Sequence, residues 1–292
     1  MTTLGALVRA VRPRQWVKNV LVLAAPIAAG EIFTRSTAIG VAVAFGAFCL
    51  AASGVYLVND VRDVEEDRQH PTKRRRPIAA GELPVPLALA AALVLLSASI
   101  ALPLLVPSTG DLWVVLAVYV VVQVAYCLWL KHQAVIDLAV VSSGFLLRAV
   151  AGGVACGLEL SQWFLLVAAF GSLFMVAGKR YSEKRLHAGS ALGMTRKSLD
   201  EYSEQYLRFV WTLAAALVTM AYSLWAFEIS EETDSPLAPV SLAPFAIGVL
   251  RYAVDIDRGN AGEPEDIVLR DRVLQLVGLV WLLTFVATVA IR

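Results

Sequence analysis

Residues 84–106 read PVPLALAAALVLLSASIALPLLV, a run of 23 residues without a charged side chain. As one helix, such a run is long enough to cross the hydrocarbon core of a bilayer, which takes about 20 apolar residues. The rest of the chain is similar, because 58% of its 292 residues are hydrophobic and only 17% are charged. Soluble domains carry about 25% charged residues. These proportions exclude an ordinary soluble domain and a disordered chain, and they favour a membrane protein.

Apolar segments recur along the chain and predict an all-α protein, a polytopic membrane helical bundle of about nine transmembrane helices. We place the spans at about 16–33, 36–58, 84–106, 111–131, 134–156, 161–179, 208–228, 237–253 and 272–291. A short amphipathic segment at about 4–12 has the pattern of an interfacial helix. The sequence contains no soluble stretch long enough to fold alone, so we expect a single transmembrane domain over residues 1–292.

Basic residues are distributed unevenly between the two sides of this topology. With the N-terminus in the cytoplasm, 22 of the 25 lysines and arginines fall on the cytoplasmic side. Because positive charge accumulates there, we predict a multi-pass plasma-membrane protein with its C-terminus outside. The long loops at about 59–83 and 180–207 then both face the cytoplasm. Polar chemistry at one face favours an enzyme over a transporter, whose site lies near the midplane of the membrane.

The segment after the second span reads Asn59-Asp60-Val61-Arg62-Asp63-Val64-Glu65-Glu66-Asp67. If it is helical, Asn59, Asp63 and Asp67 lie on one face at four-residue spacing, with Asp60 beside them. Like charges on adjacent turns repel one another unless a cation lies between them. Hard oxygen ligands of this kind suit Mg²⁺, which keeps part of its coordination shell for phosphates. The segment therefore predicts a magnesium site.

A run of four bases, Lys73 to Arg76, follows the acids. Such a run can neutralise a bound polyphosphate, although the positive-inside bias alone also produces basic runs. For the acids, the alternative is a solvated helix end whose carboxylates pair with Arg62 and Arg68. Taken together, the acid cluster and the basic run predict a site for a diphosphate held by Mg²⁺ at the mouth of the bundle.

The pattern Asn59-Asp60-x-x-Asp63-x-x-x-Asp67, with Arg76-Pro77 and Gly81 downstream, resembles the first aspartate-rich motif of the UbiA superfamily of intramembrane prenyltransferases. Members of that superfamily are helical bundles that use Mg²⁺ to ionise a diphosphate ester. The resemblance implies that Asp60, Asp63 and Asp67 are catalytic and that, together with Asn59, they hold Mg²⁺ as the cofactor. It also implies an active site at the cytoplasmic face.

The second acid-rich motif of typical members is incomplete in this sequence. Asp137 is present, but Val141 stands four residues further along. Other segments resemble a branch of the superfamily whose donor is phosphoribosyl diphosphate (PRPP). They are Arg12-Pro13-Arg14-Gln15-Trp16-Val17-Lys18-Asn19, Tyr126 with Leu130-Lys131 and Asp137, Gly144-Phe145-Leu146-Leu147-Arg148-Ala149 with Gly152, and Gly178-Lys179-Arg180-Tyr181-Ser182-Glu183.

This branch implies the transfer of 5-phosphoribose from PRPP to decaprenyl phosphate or another polyprenyl phosphate, with release of diphosphate, to make precursors of cell-wall arabinan. The alternative is a UbiA-type prenyltransferase that uses a polyprenyl diphosphate and an aromatic acceptor. The expected partners are PRPP, the polyprenyl phosphate and membrane lipid, without nucleic acid, and a homo-oligomer is compatible with the sequence. Because the acceptor phosphate is already an anion, we assign no histidine a role.

The resemblance also implies the remaining site residues. Asp137 is a further catalytic candidate that would either help to bind Mg²⁺ or hold Lys131. The substrate-binding candidates are Lys18, Asn19, Asn59, Lys73, Arg74, Tyr126, Lys131, Arg148, Lys179, Arg180, Ser182 and Glu183. Arg148 lies deep in a predicted span, where it binds either a phosphate or a buried acid and carbonyl groups. The loop after Tyr181 is either a lid over the donor or a solvated connection.

Overall fold

A computed structural model describes residues 2–31, 34–188, 199, 201–262, 267 and 270–291. Every regular element in these ranges is a helix, so the predicted all-α class is confirmed. The α-helices are α1 (Thr3–Ala10), α2 (Ala24–Ala29), α3 (Arg35–Arg62), α4 (Val64–Gln69), α5 (Val85–Leu104), α6 (Leu112–Leu128), α7 (Ile136–Ala155), α8 (Gln162–Ala188), α9 (Glu204–Thr233), α10 (Leu237–Asp257) and α11 (Arg272–Ile291). Between them lie the 3₁₀ segments Pro13–Leu23, Lys73–Arg75, Pro107–Thr109 and Leu130–His132.

Among the described residues, seven helices are long and apolar enough to cross a bilayer, namely α3, α5, α7, α8, α9, α10 and α11. α6 is also apolar, and its 17 residues are at the lower limit for a span. These eight helices coincide with eight of the predicted spans, and the chain is an integral membrane protein. The predicted total of nine depends on the segment that precedes α3.

That segment was predicted as a span over 16–33, and it is helical but only partly α-helical. Pro13–Leu23 forms a 3₁₀ helix, and α2 follows it directly at Ala24. Pro26 lies in the first turn of α2, where its missing N–H costs no helical hydrogen bond. Gly30 follows α2 with φ 73°, the left-handed conformation with which many helices end. The segment therefore consists of a 3₁₀ helix and a short α-helix in succession, and it ends at Gly30.

The helices also extend into the predicted loops, whose boundaries need correction. α3 continues to Arg62, and α4 and the turn Lys73–Arg75 occupy much of the loop predicted over 59–83. α8 reaches Ala188, inside the loop predicted over 180–207, of which residues 189–198 and 200 lie outside the described residues. At 1.5 Å per residue α8 is about 40 Å long, more than the apolar thickness of a bilayer. Hydropathy detects only the apolar part of such a helix.

Residues 1–26, 31–140 and 147–159 form one compact unit, in which α3 packs against α5 and α6. Ala47 and Phe48 of α3 are fully buried in a core with Leu112 and Leu116 of α6. In a membrane, the burial of apolar surface contributes little to the association of helices. Small side chains favour association instead, because they let the helix backbones approach closely. Gly152 of α7 shows this most directly, because a Cβ at this position would overlap the carbonyl oxygen of Val22.

Residues 27–30, 141–146 and 160–292 form a second compact unit, which contains the helix pairs α8–α9 and α10–α11. Its core includes an aromatic cluster of Tyr222, Trp225, Phe245, Trp281 and Phe285. The rings of Tyr222 and Phe245 stack with centroids 4.0 Å apart, and the Tyr222 hydroxyl accepts a hydrogen bond from Trp281 Nε1 at 2.9 Å. The single domain expected over residues 1–292 stays a prediction.

The close approach at Gly152 yields a stability prediction. We expect Gly152→Ala to lower the free energy of unfolding by about 1–3 kcal/mol, because the new methyl group meets backbone that cannot rotate away. Thermal unfolding in detergent measures the effect. Gly278→Ala on α11 is the matched control, since a Cβ there meets nothing within 4 Å. Equal melting temperatures for the two variants would contradict the packing described for α7.

Candidate functional site

Asp60, near the end of α3, is a buried carboxylate held by two arginines. Its side chain is 2% exposed, and one of its oxygens, Oδ1, accepts hydrogen bonds from both guanidinium groups. Arg12 Nη2 lies 2.5 Å from this oxygen and Arg76 Nη1 lies 3.1 Å from it. Two guanidinium donors on one carboxylate oxygen supply charge-assisted hydrogen bonds in a place where water has little access.

Arg76 also binds Asp67, which lies on α4, at 2.7 Å between Nη1 and Oδ2. One guanidinium therefore bridges two acids seven positions apart, as expected for residues on one helical face. Burial raises the pKa of Asp67, and the positive charge of Arg76 opposes this increase. The Asp67 carboxylate thus depends on a nearby cation to stay ionised.

Asp63 makes a separate ion pair with Lys131, which comes from the 3₁₀ turn Leu130–His132 after α6. Asp63 is the single residue between α3 and α4, with φ −96° and ψ 11°, so the predicted helical stripe is kinked at its centre. The main-chain hydrogen bonds from Asp63 N to Asn59 O and from Asp67 N to Asp63 O continue across the kink. The three carboxylates therefore stay close along the chain, but Asp60 and Asp67 share Arg76 whereas Asp63 contacts Lys131.

Arg12 reaches the cluster because of its unusual backbone. It adopts a left-handed conformation, with φ 53° and ψ 62°, directly before Pro13 starts the 3₁₀ segment. A residue before proline avoids the right-handed helical region, so the chain turns sharply between α1 and this segment. The guanidinium group lies over the ring of Tyr56, 4.7 Å from its centroid. Nearby, Trp16 Nε1 donates to Ser53 Oγ at 3.1 Å and ties the segment to α3.

These contacts bear on the alternative of a solvated helix end whose acids pair with Arg62 and Arg68. Arg68 does pair with one acid of the segment, Glu65 on the same short helix, at 2.6 Å. The cations found on Asp60, Asp63 and Asp67 are instead Arg12, Arg76 and Lys131. Arg12 and Arg76 were not among the predicted site residues. Each directly precedes a proline, in Arg12-Pro13 and Arg76-Pro77, and these two pairs are the sequence feature that could have identified them.

The chemistry of the donor set fits Mg²⁺, because the oxygens of Asp60, Asp63 and Asp67 are hard ligands with three negative charges. In the part of the chain that the structure describes, however, no three acidic, histidine or cysteine side chains converge on one point as a metal site. Each carboxylate points instead to a protein cation. A metal ion at these oxygens would compete with the cations that now contact them.

Arg148 and Asn19, two predicted substrate-binding residues, contact each other in the core of the first unit. Arg148 is 8% exposed, and its Nε donates to Asn19 Oδ1 at 2.8 Å. Its Nη2 donates to the Tyr119 hydroxyl at 3.0 Å, and the guanidinium group lies 5.3 Å from the ring centroid of Phe48. Asn19 in turn donates to Cys49 Sγ at 3.3 Å. These contacts hold Arg148 in a fixed orientation inside the unit.

The candidates in the second unit lie near the end of α8. Arg180 donates to Glu183 at 2.9 Å, and Lys179 Nζ lies 4.0 Å from the same carboxylate. Ser182 is fully buried, and its Oγ accepts the N–H of Ala261 at 3.0 Å, which fixes α8 to the segment after α10. Lys179 has a 37% exposed side chain and is therefore the best placed of the four to meet a soluble anion.

The other candidates occupy varied environments. Asp137 is fully buried in the first turn of α7, whereas Arg74 is exposed in the 3₁₀ turn after α4. Lys18, Asn59, Lys73 and Tyr126 are half-buried. His70 supports the basic turn, because its Nδ1 accepts the N–H groups of Thr72 at 3.2 Å and Lys73 at 3.3 Å. Burial lowers the pKa of His70, which favours the neutral ring that these contacts need.

Curated relatives match nearly the whole chain. A protein of Corynebacterium glutamicum named decaprenyl-phosphate phosphoribosyltransferase is 55% identical over 289 residues, which cover 98% of this chain and 87% of that protein. A protein of the same name from Mycobacterium tuberculosis strain H37Rv is 57% identical and covers 98% of this chain and 95% of the relative. Each alignment covers most of both proteins, so the similarity is not confined to a shared fragment.

Solved structures agree on the fold. A UbiA homolog from Archaeoglobus fulgidus bound to GPP and Mg²⁺ superposes with a TM-score of 0.71 at 16% identity, covering 98% of this chain and 99% of that one. A digeranylgeranylglyceryl phosphate synthase gives a TM-score of 0.65 at 15% identity, with 99% of both chains covered. The sequence also matches the profile of the UbiA prenyltransferase family over residues 20–269. The chain therefore belongs to the UbiA prenyltransferase family.

Proposed function

We propose that this protein transfers 5-phosphoribose from PRPP to decaprenyl phosphate and releases diphosphate. The observation that carries this proposal is the identity of 55–57% over 98% of the chain to proteins named decaprenyl-phosphate phosphoribosyltransferase. The replacement of the second acid pair by Asp137 and Val141 supports it, because a donor other than a prenyl diphosphate relaxes the need for that pair. The product would supply the synthesis of cell-wall arabinan.

Mg²⁺ is the proposed cofactor, and Asn59, Asp60, Asp63 and Asp67 are its proposed ligands. Support comes from the oxygen chemistry of these side chains and from family members of the same fold that were solved with Mg²⁺. When bound, the ion would neutralise charge on the diphosphate as it leaves. The protein's own contribution is a set of cations, Arg12, Arg76 and Lys131, at the same carboxylates. Guanidinium and ammonium groups are the donors that phosphoryl oxygens bind.

The reaction needs no general base in this scheme. The acceptor phosphate is an anion at neutral pH, and one of its oxygens forms a new C–O bond at C1 of the ribose. The C1–O bond to diphosphate breaks, and the electron pair leaves with the diphosphate, so attack from the opposite face inverts the anomeric centre. Positive charge held at the leaving group would contribute most of the acceleration. The exposed Lys179 is a proposed contact for the donor's other phosphate.

The site lies at the cytoplasmic face in this proposal, and the protein at the plasma membrane. The basic residues around α4 and at the end of α8 support this orientation through the positive-inside bias. The buried carboxylates at the end of α3 are then reached by a water-soluble donor from the cytoplasm, while the polyprenyl chain stays in the bilayer. PRPP, the polyprenyl phosphate and lipid are the proposed partners.

The first functional prediction concerns Asp63. We expect Asp63→Asn to reduce diphosphate release from PRPP and decaprenyl phosphate by at least about a hundredfold, because the Mg²⁺ that would neutralise the leaving diphosphate loses a charged ligand. Purified protein in detergent with Mg²⁺ is assayed for released diphosphate. Glu65→Gln on the adjacent helix is the control and should retain activity, since Glu65 is 73% exposed and contacts only the solvated Arg68 among the pairs described.

Two results would contradict the proposed activity. The first is undiminished release by the Asp63→Asn variant. The second is a wild-type protein that ignores PRPP but joins a polyprenyl diphosphate to an aromatic acceptor, which would return the chain to the ordinary prenyltransferases of the family. In that case Val141 would not mark a change of donor.

The second functional prediction concerns orientation. We expect alkaline phosphatase fused after residue 292 to be active in cells, because that enzyme folds only outside the cytoplasm. The same reporter inserted between Gly81 and Glu82 should be inactive, and a green fluorescent protein inserted there should fluoresce. The reverse pattern of activities would place the acid cluster outside and rule out a cytoplasmic donor.

A further inference from the structure

The acid cluster is electrically balanced before any ligand is present. Asp60 contacts Arg12 and Arg76, Asp67 contacts Arg76, and Asp63 contacts Lys131. Three carboxylates thus meet three protein cations, and their formal charges sum to zero. Asp60 and Asp67 are each 2% exposed, so solvent replaces a lost partner poorly. The balance is a property of the fold and not of the local sequence.

This balance creates an obstacle to a metal ion that arrives alone. To bind the carboxylate oxygens that these cations already hold, the ion must displace a guanidinium or ammonium group that is itself half-buried. The displaced cation is then left without an anion in a partly desolvated place, next to the new positive charge. Separating one partner of a buried pair is costly because it leaves an uncompensated charge. Metal binding alone should therefore be weak.

A diphosphate removes the obstacle because it brings acceptors for the displaced cations. Its oxygens can bind the guanidinium groups in a bidentate manner and the ammonium group as a point charge. The carboxylates then hold the metal, and the three cations hold the phosphates. Every charge in the cluster keeps a partner when metal and diphosphate bind together, but not when either binds alone.

We propose that Arg12, Arg76 and Lys131 are exchangeable counter-ions that pass from the carboxylates to the diphosphate, so that the site accepts metal and diphosphate jointly and excludes the free metal ion. The proposal rests on the proposed function only in requiring a ligand that carries a diphosphate. It assigns Lys131 and Arg12 a thermodynamic role, which is to oppose the metal when no donor is bound and to favour it when the donor arrives.

Mn²⁺ alone is the first probe, measured by electron paramagnetic resonance on the purified full-length protein in detergent. We expect Lys131→Met to bind Mn²⁺ about tenfold more tightly than the wild type, because Asp63 has lost the ammonium group with which the metal competes. A coupling of this size lies within the usual range of about 5–150-fold. A loss of structure would have the opposite effect.

Radiolabelled inorganic diphosphate is the second probe, measured by retention on the same proteins at a fixed concentration of Mg²⁺. We expect Lys131→Met to retain diphosphate about tenfold more weakly, because one phosphate donor is gone. Opposite shifts of the two affinities are the signature of exchange, since a residue that only supports the structure would change both in the same direction. If Lys131→Met does not fold, Arg12→Met applies the same test at Asp60.

Arg9→Met is the matched control. Arg9 pairs with Glu82 in the same unit but outside the cluster, so its loss should leave both affinities unchanged. Unchanged or weaker Mn²⁺ binding by the Lys131 and Arg12 variants would overturn the exchange. This failure is separable from that of the proposed function. A wild type that releases diphosphate from PRPP without opposite shifts refutes only the exchange, whereas opposite shifts without a reaction of PRPP refute only the donor.

Discussion

Charge neutralisation at the end of α3 is the constraint on which the first unit depends. Asp60 and Asp67 are nearly inaccessible to water, and an unpaired carboxylate in such a place is costly. The fold meets this requirement with cations from three separate parts of the chain. Arg12 comes from the turn before the 3₁₀ segment, Arg76 from the basic turn after α4, and Lys131 from the link between α6 and α7.

The same ion pairs connect structure with chemistry. Each one fixes a connecting segment to the end of α3 or to α4, beside an apolar cluster that includes Leu57, Ile78 and Leu83. The groups that stabilise this junction are also the groups that a metal and a diphosphate need. The side chains of this site are therefore in position before a ligand binds. In the proposed exchange they change partners on binding, which couples ligand binding to the ion pairs that stabilise the fold.

Local patterns predicted the acids well and their partners poorly. The seven-residue separation of Asp60 and Asp67 placed them on a common side, where Arg76 bridges them, because helical geometry depends only on neighbouring residues. The cations found on these two acids are Arg12 and Arg76 and not the nearer Arg62 and Arg68 of the alternative, since a sequence shows which bases are near along the chain and not which are near in space. Arg148 illustrates the same limit, because its contacts with Asn19 and Tyr119 join residues 129 and 29 positions apart.

The sequence by itself determined that the protein is helical and resides in a membrane, because apolar runs of about 20 residues are typical of transmembrane helices. It also determined the family, through the spacing of Asn59, Asp63 and Asp67 and the motifs around them. Only the tertiary structure decided which cation meets which carboxylate, and that the segment before α3 is largely a 3₁₀ helix. Hydropathy and spacing are short-range properties, whereas ion pairs between distant residues depend on how the helices pack.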